Sequence, residues 1–252
     1  MTWIRRFHES PEASARLVCF PHAGGAATYF YPLSRTLAPS IEALAVQYPG
    51  RQDRRAEPCV DDIHELADLV APALLEWADR PLALFGHSMG ATLAFEVAGR
   101  LERAGVRPAG LFVSGRRAPS SFRDERLYLA DDQKIVDSLK SMNAIDPQVL
   151  DDPDILAMIL PAVRADYKAA ETYRFRSTPA LSCPVVAMTG DDDVQVSTAE
   201  AGRWAEHTLS DFELKVFSGG HFFLDSHTEA VLESITTSLW EVTDGALEPA
   251  RP

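Results

Sequence analysis

Three observations predict an α/β fold, in which a mostly parallel central sheet carries helices on both faces. Short apolar runs alternate with amphipathic helical segments along most of the 252 residues. The joins between them are short and rich in Pro and Gly, as crossovers between parallel strands require. Apolar residues make up 46% of the chain, enough for a packed core of one large domain.

Taken in order, Arg16 to His22 reads as a strand stopped near Pro21, followed by the turn Ala23-Gly24-Gly25 and a helix from about 26 to 37. Ile41 to Tyr48 is a buried strand ending at Pro49-Gly50. Asp61 or Asp62 caps a helix whose apolar positions Ile63, Leu66, Leu69, Val70, Leu74 and Trp77 repeat at helical spacing. Pro81 to Phe85 is the next strand, and it runs through Gly86-His-Ser-Met-Gly90 into a helix over 91–104 that Gly105 stops. Ala109 to Ser114 is a further strand.

After Ser114 the next convincing strand, Val185 to Thr189, lies about seventy residues on, whereas one crossover needs about a dozen. A small helical subdomain is therefore expected over 115–178, inserted into a core formed by 1–114 and 179–243. Within it Ile135, Leu139 and Met142 fall at helical spacing, and Asp152-Pro-Asp154 starts a second helix that Pro161 is expected to kink or restart. Strand 185–189, helix 198–207, strand 212–217 and helix 225–242 restore the alternation, with 244–252 expected as a flexible tail.

The charge balance narrows function. With 24 Lys and Arg against 37 Asp and Glu, the net charge is −13, which argues against a nucleic-acid binder or a protein held on anionic lipid. No stretch reads as a signal peptide or a membrane span, and three cysteines (Cys19, Cys59, Cys183) without metal-type spacing suit a reducing compartment, so a cytoplasmic protein is expected. Nothing in the sequence speaks to oligomeric state, and a monomer is the plain expectation.

Gly86-x-Ser88-x-Gly90 matches the tight strand-to-helix turn on which a nucleophilic serine projects from a strained backbone. The pattern is weak alone; an apolar strand before it and a helix rich in small residues after it supply the required context. A serine needs a base, and the base needs an orienting acid. Asp191-Asp192-Asp193 and Gly219-Gly220-His221 each follow a strand, on the sheet edge where Ser88 also opens. The order Ser, Asp, His is that of the α/β-hydrolase fold. Spacing does not choose among the three aspartates. His221 is favoured over His227 by the glycines before it, and His87 is read as packing. No second oxygen cluster completes a metal shell, so no metal is expected. The backbone N–H groups of Met89 and Ala23 are the expected oxyanion donors.

Together, Phe20-Pro-His-Ala-Gly-Gly25, Tyr48-Pro-Gly-Arg51, Gly86-His-Ser-Met-Gly90, Leu160-Pro-Ala-Val-Arg-Ala-Asp166 with Glu171-Thr-Tyr173, Gly190-Asp-Asp-Asp193 and Gly219-Gly-His-Phe-Phe223 resemble the free-standing type II thioesterases of polyketide and nonribosomal peptide biosynthesis, members of the α/β-hydrolase superfamily. The resemblance covers nearly the whole chain. It implies a triad of Ser88, Asp193 and His221 with oxyanion donors Ala23 and Met89. Val194 stands where the family usually has Pro. It also implies removal of aberrant or stalled acyl groups from the phosphopantetheine arm of carrier proteins, with the helical insertion 115–178 as a lid lining the acyl chamber and no cofactor held by the enzyme itself. A serine esterase or lipase for small oxygen esters, and a non-catalytic binding module on the same fold, are the alternatives. Because such carriers are expected to be acidic like this chain, two arginine clusters are candidate docking points: Arg51, Arg54 and Arg55, and Arg116, Arg117, Arg123 and Arg126, with Arg116 and Arg117 favoured.

Overall fold

A computed structural model describes residues 3–142, 150–176 and 179–246, with side chains placed through 240. Its seven strands are β1 (Ile4–Arg5), β2 (Ala15–Phe20), β3 (Ile41–Val46), β4 (Leu82–His87), β5 (Gly110–Ser114), β6 (Val185–Gly190) and β7 (Phe212–Phe217), in the spatial order β1-β3-β2-β4-β5-β6-β7. β1 pairs antiparallel with β3, and all other pairings are parallel. Every residue of β2 to β6 is buried, because helices cover both faces. The six strands expected from the apolar runs are present. β1 lies outside that expectation, since two residues carry no alternation to detect.

One face packs against α2 (Ile63–Leu74) and α3 (Met89–Arg103), the other against α1 (Tyr31–Leu37) and the C-terminal helix. The Asp62 carboxylate caps α2 by accepting from the Glu65 N–H. Between β5 and β6 lie α4 (Asp132–Ser141) and α5 (Pro153–Thr172), joined by a small core of their own that includes Ile135, Leu139, Leu160 and Val163. α5 is continuous through Pro161, so the helix does not restart there. Pro161 and Ala157, the residue whose carbonyl loses its donor, are both exposed, so water satisfies that carbonyl. After β6 come α6 (Thr198–Gly202), opened by a Ser197–Glu200 capping box, then β7, α7 (Phe223–Ser226) and α8 (Thr228–Ala246). α8 extends the expected 225–242 helix into the stretch assigned to a tail from 244; residues 247–252 lie outside the described residues.

Parallel strands present their C-terminal ends on one edge, and β4, β6 and β7 deliver the three polar loops there.

Candidate active site

The elbow is formed by a close approach of backbones. A Cβ on Gly86 would lie 2.2 Å from the Gly90 carbonyl oxygen, and one on Gly90 would lie 2.1 Å from the Phe20 carbonyl oxygen, so neither position admits a side chain. Between them Ser88 takes φ 55° and ψ −119°, a left-handed value that costs energy in any L-residue, and its N–H is held by the Ser114 carbonyl at 2.8 Å. α3 begins at Met89, whose N–H, as the first of a helix, has no intrahelical acceptor.

His221 meets Asp193 at 2.9 Å between Nδ1 and Oδ2, with both side chains buried. A carboxylate only accepts, so Nδ1 carries the proton and Nε2 is the basic nitrogen. The other carboxylate oxygen, Oδ1, accepts from the Gln195 N–H at 2.8 Å, which fixes the plane of the acid. Asp191 acts elsewhere, its Oδ1 accepting from the Gly219 N–H at 2.8 Å and bracing the turn before His221, while Asp192 is exposed. The geometry thus chooses among three aspartates where spacing did not. Gly190 makes the meeting possible, because a Cβ there would lie 2.2 and 2.5 Å from the Gly219 and Gly220 carbonyl oxygens. Gly190→Ala is expected to destabilise the fold by about 1–3 kcal/mol, the range for overpacking, and to lower kcat as the base loop shifts; calorimetry and turnover on one preparation check both.

Ser88 and His221 line one cavity of about 320 Å³ with Ala23, Met89 and residues of the lid. The Ser88 hydroxyl makes no hydrogen bond among the described residues, so the three-membered line expected from the sequence is formed on its Asp193–His221 side and not on its Ser88 side. Catalytic hydrogen bonds of empty sites are commonly long and tighten on substrate binding. In the loop after β2, the Gly24 N–H goes to Asp166 at 2.7 Å and the Gly25 N–H to the His22 carbonyl at 2.9 Å, leaving the Ala23 N–H without a partner among the described residues.

Two further histidines stand beside the base. The ring centroid of His87 is 5.0 Å from that of His221 and 5.9 Å from that of His22, and Phe222 lies against all three. Burial, and then the neighbouring His221, pull the pKa of His22 down to about 3 and that of His87 well below its usual value. Both stay neutral, so no second cation competes with an imidazolium at His221. In the unfolded chain both would titrate near 6.5, so unfolding takes up protons below that pH. Stability is therefore full above about pH 6.5 and falls as the pH drops toward 4, with a slope of up to about 2.7 kcal/mol per pH unit for two such groups. Urea unfolding between pH 7 and 5 is expected to show this fall, and His22→Asn to lessen it.

Of the favoured docking arginines, Arg117 is buried and Arg116 is half-buried. Arg117 is held by Glu125, its Nη2 2.8 Å from the carboxylate. Arg116 lines the catalytic cavity, donating to the Thr92 hydroxyl at 3.0 Å and the Ala170 carbonyl at 3.1 Å, and burial followed by the Arg117 charge lowers its pKa to about 10. The segment after β5 turns inward onto Thr92 and Ala170, which sequence position alone did not reveal. Of the other candidates, Arg51 and Arg54 are buried, Arg123 and Arg126 are paired with Glu200 and Asp124, and Arg55 is exposed.

Comparison with known proteins places these features in context. The profile of the family described as "Thioesterase domain" matches residues 15–239. Thioesterase PikA5 of Streptomyces venezuelae is 49% identical over 246 residues, 97% of this chain and 87% of that one. A probable cadicidin biosynthesis thioesterase of Streptomyces griseus is 49% identical over 237 residues, and the match covers 94% of this chain and 66% of that protein's length. Among solved structures, the type II thioesterase BorB from the borrelidin biosynthetic cluster superposes with a TM-score of 0.89 at 49% identity, covering 94% of this chain and 97% of that one.

Proposed function

The chain belongs to the thioesterase family, and from that premise we propose that it hydrolyses aberrant or stalled acyl groups from the phosphopantetheine arm of carrier proteins in a polyketide or nonribosomal peptide synthase. The observation that carries this reading is the opening of the Ser88 elbow and the Asp193–His221 pair into one lid-covered cavity.

In that site His221 Nε2 takes the proton of Ser88 as Oγ attacks the thioester carbonyl, and Asp193 holds the ring in the required tautomer. The Ala23 and Met89 amides face the charge that develops on the carbonyl oxygen. The adduct then breaks its C–S bond; a thiol, with pKa near 8.5, leaves with less protonic help than an alcohol, and the departing sulfur takes up the proton held by His221, which frees Nε2 again. Water, deprotonated by His221, then clears the acyl-serine. The substrate brings the phosphopantetheine, and the enzyme holds no cofactor. No helix among the described residues is long and apolar enough to cross a membrane; we place the reaction in the cytoplasm with the synthase that carries the acyl groups.

Mass spectrometry of carrier domains loaded with different acyl groups, before and after addition of enzyme, tests the reading. Loss of the acyl mass with recovery of the free pantetheine thiol is expected. Hydrolysis of p-nitrophenyl esters with acyl-carriers left intact would assign the protein instead to small-ester hydrolysis.

A further inference from the structure

Asp166, on lid helix α5, is 1% exposed, and among the described residues its one ion-pair partner is Arg51. The pair is bidentate: Arg51 Nη1 donates to Oδ2 at 2.5 Å and Nη2 to Oδ1 at 2.8 Å. Burying two charges gives little stability beyond what apolar side chains of similar size would give, so the pair invites another reason for being there.

Its other contacts supply one. Asp166 Oδ2 also accepts the Gly24 N–H at 2.7 Å, and Arg51 Nη1 also donates to the Gly25 carbonyl at 3.1 Å. Tyr48, over whose ring the guanidinium sits at 5.2 Å, donates its hydroxyl to the Pro21 carbonyl at 3.0 Å. Val163, one turn before Asp166 on α5, closes over Gly24, where a Cβ would lie 3.0 Å from its Cγ2 and where φ is +78°. The segment from Pro21 to Gly25 is thus gripped at both ends and from the lid side, and Ala23, whose N–H is unpartnered among the described residues, sits in its middle.

Electrostatics explains why the grip needs both partners. A carboxylate fixes the Gly24 amide strongly, but alone it would set a negative charge beside the place where the oxyanion forms. The guanidinium cancels that charge while adding a second hold on the loop.

We propose that Arg51 and Asp166 are positioning residues for the oxyanion hole, through which the seating of lid helix α5 sets the aim of the Ala23 N–H. The inference rests on the reading of Ala23 as an oxyanion donor. It makes the lid part of the chemical machinery as well as a wall of the acyl chamber, and a lid helix displaced from the sheet edge carries a misaligned oxyanion hole with it.

The test uses the full chain with Asp166→Ala, Asp166→Asn and Arg51→Lys. Each variant is assayed with a short acyl-pantetheine thioester and with a trifluoromethyl ketone analogue, whose hemiketal adduct on Ser88 needs the same hole. Displacing one donor is expected to lower kcat by roughly 10- to 100-fold in Asp166→Ala, somewhat less than deleting a donor outright. KM should stay within about 2-fold, the pH profile should be unchanged, and analogue affinity should fall in step with kcat. Asp166→Asn, which keeps an acceptor for Gly24, should retain more activity than Asp166→Ala. Should Asp166→Ala not fold, the Asn and Lys variants are judged by the same criteria, each expected to lose kcat and analogue affinity together. Folded variants with wild-type kcat and analogue affinity, or with the whole loss in KM, overturn the proposal. A wild-type enzyme that forms no adduct with the ketone overturns instead the underlying reading of the site.

Discussion

Ser88→Ala is expected to lower kcat for a carrier-bound acyl thioester by on the order of 10⁵ to 10⁶, the loss seen when a triad nucleophile is removed, with the melting temperature close to that of the wild type. The two halves of this expectation have separate physical sources. Oγ is the atom that forms the acyl-enzyme, and without it His221 has no hydroxyl to activate. Rate above the background would then come from the oxyanion donors and binding alone, which in other triad enzymes leave roughly 10³ to 10⁴ over water. Stability should change little, because the strain at φ 55° belongs to the Cβ, which alanine keeps, and the hydroxyl makes no hydrogen bond among the described residues that its removal would break. Ser88→Gly separates strain from chemistry. It should be as inactive as alanine but more stable by about 1 kcal/mol, since glycine accepts the left-handed region without penalty. Thermal unfolding beside thiol release measures both. Full turnover by either variant would return the protein to the non-catalytic reading of its fold.

Much of this architecture was legible in the sequence because its causes are local. An apolar run closed by a tight Gly-x-Ser-x-Gly turn and a small-residue helix has few alternatives, and here it is β4, Ser88 and α3. Asp62 and Asp152 announced their helices because a cap acts on the two or three residues that follow it. What stayed hidden depends on partners distant in the chain. Arg116 looks like a surface residue until Thr92 and Ala170, 24 and 54 positions away, are brought to it. The roles of Arg51 and Asp166 were missed for the same reason, being separated by 115 positions. One signal was available: Asp166 falls three residues after Val163 and three before Ala169, both buried, so its carboxylate shares the apolar face of α5 and requires a buried partner. Nothing comparable in the sequence points to Arg51 as that partner.

Substitution of the three consecutive acids tests the site most sharply, because the same chemical change at neighbouring positions should have very different effects. Asp193→Asn is expected to lower kcat by on the order of 10⁴. The direction follows from the Gln195 N–H, which donates to Oδ1 at 2.8 Å and so obliges an asparagine to place its carboxamide oxygen there. Its NH₂ group then faces His221 Nδ1, at the position from which Asp193 Oδ2 now accepts at 2.9 Å. Two donors cannot bond, so the ring gives up its Nδ1 proton and carries it on Nε2, the nitrogen that must be free to accept from Ser88. Asp191→Asn keeps an oxygen for the Gly219 N–H, loses only charge, and should reduce kcat by less than about 10-fold. Asp192→Asn, at an exposed position, should change kcat by no more than about 2-fold. Steady-state kinetics of the three variants on one acyl thioester therefore locate the acid by the size of each loss. Equal losses at 191 and 193 would mean that the loop tolerates no change of charge, and the tautomer argument would fall.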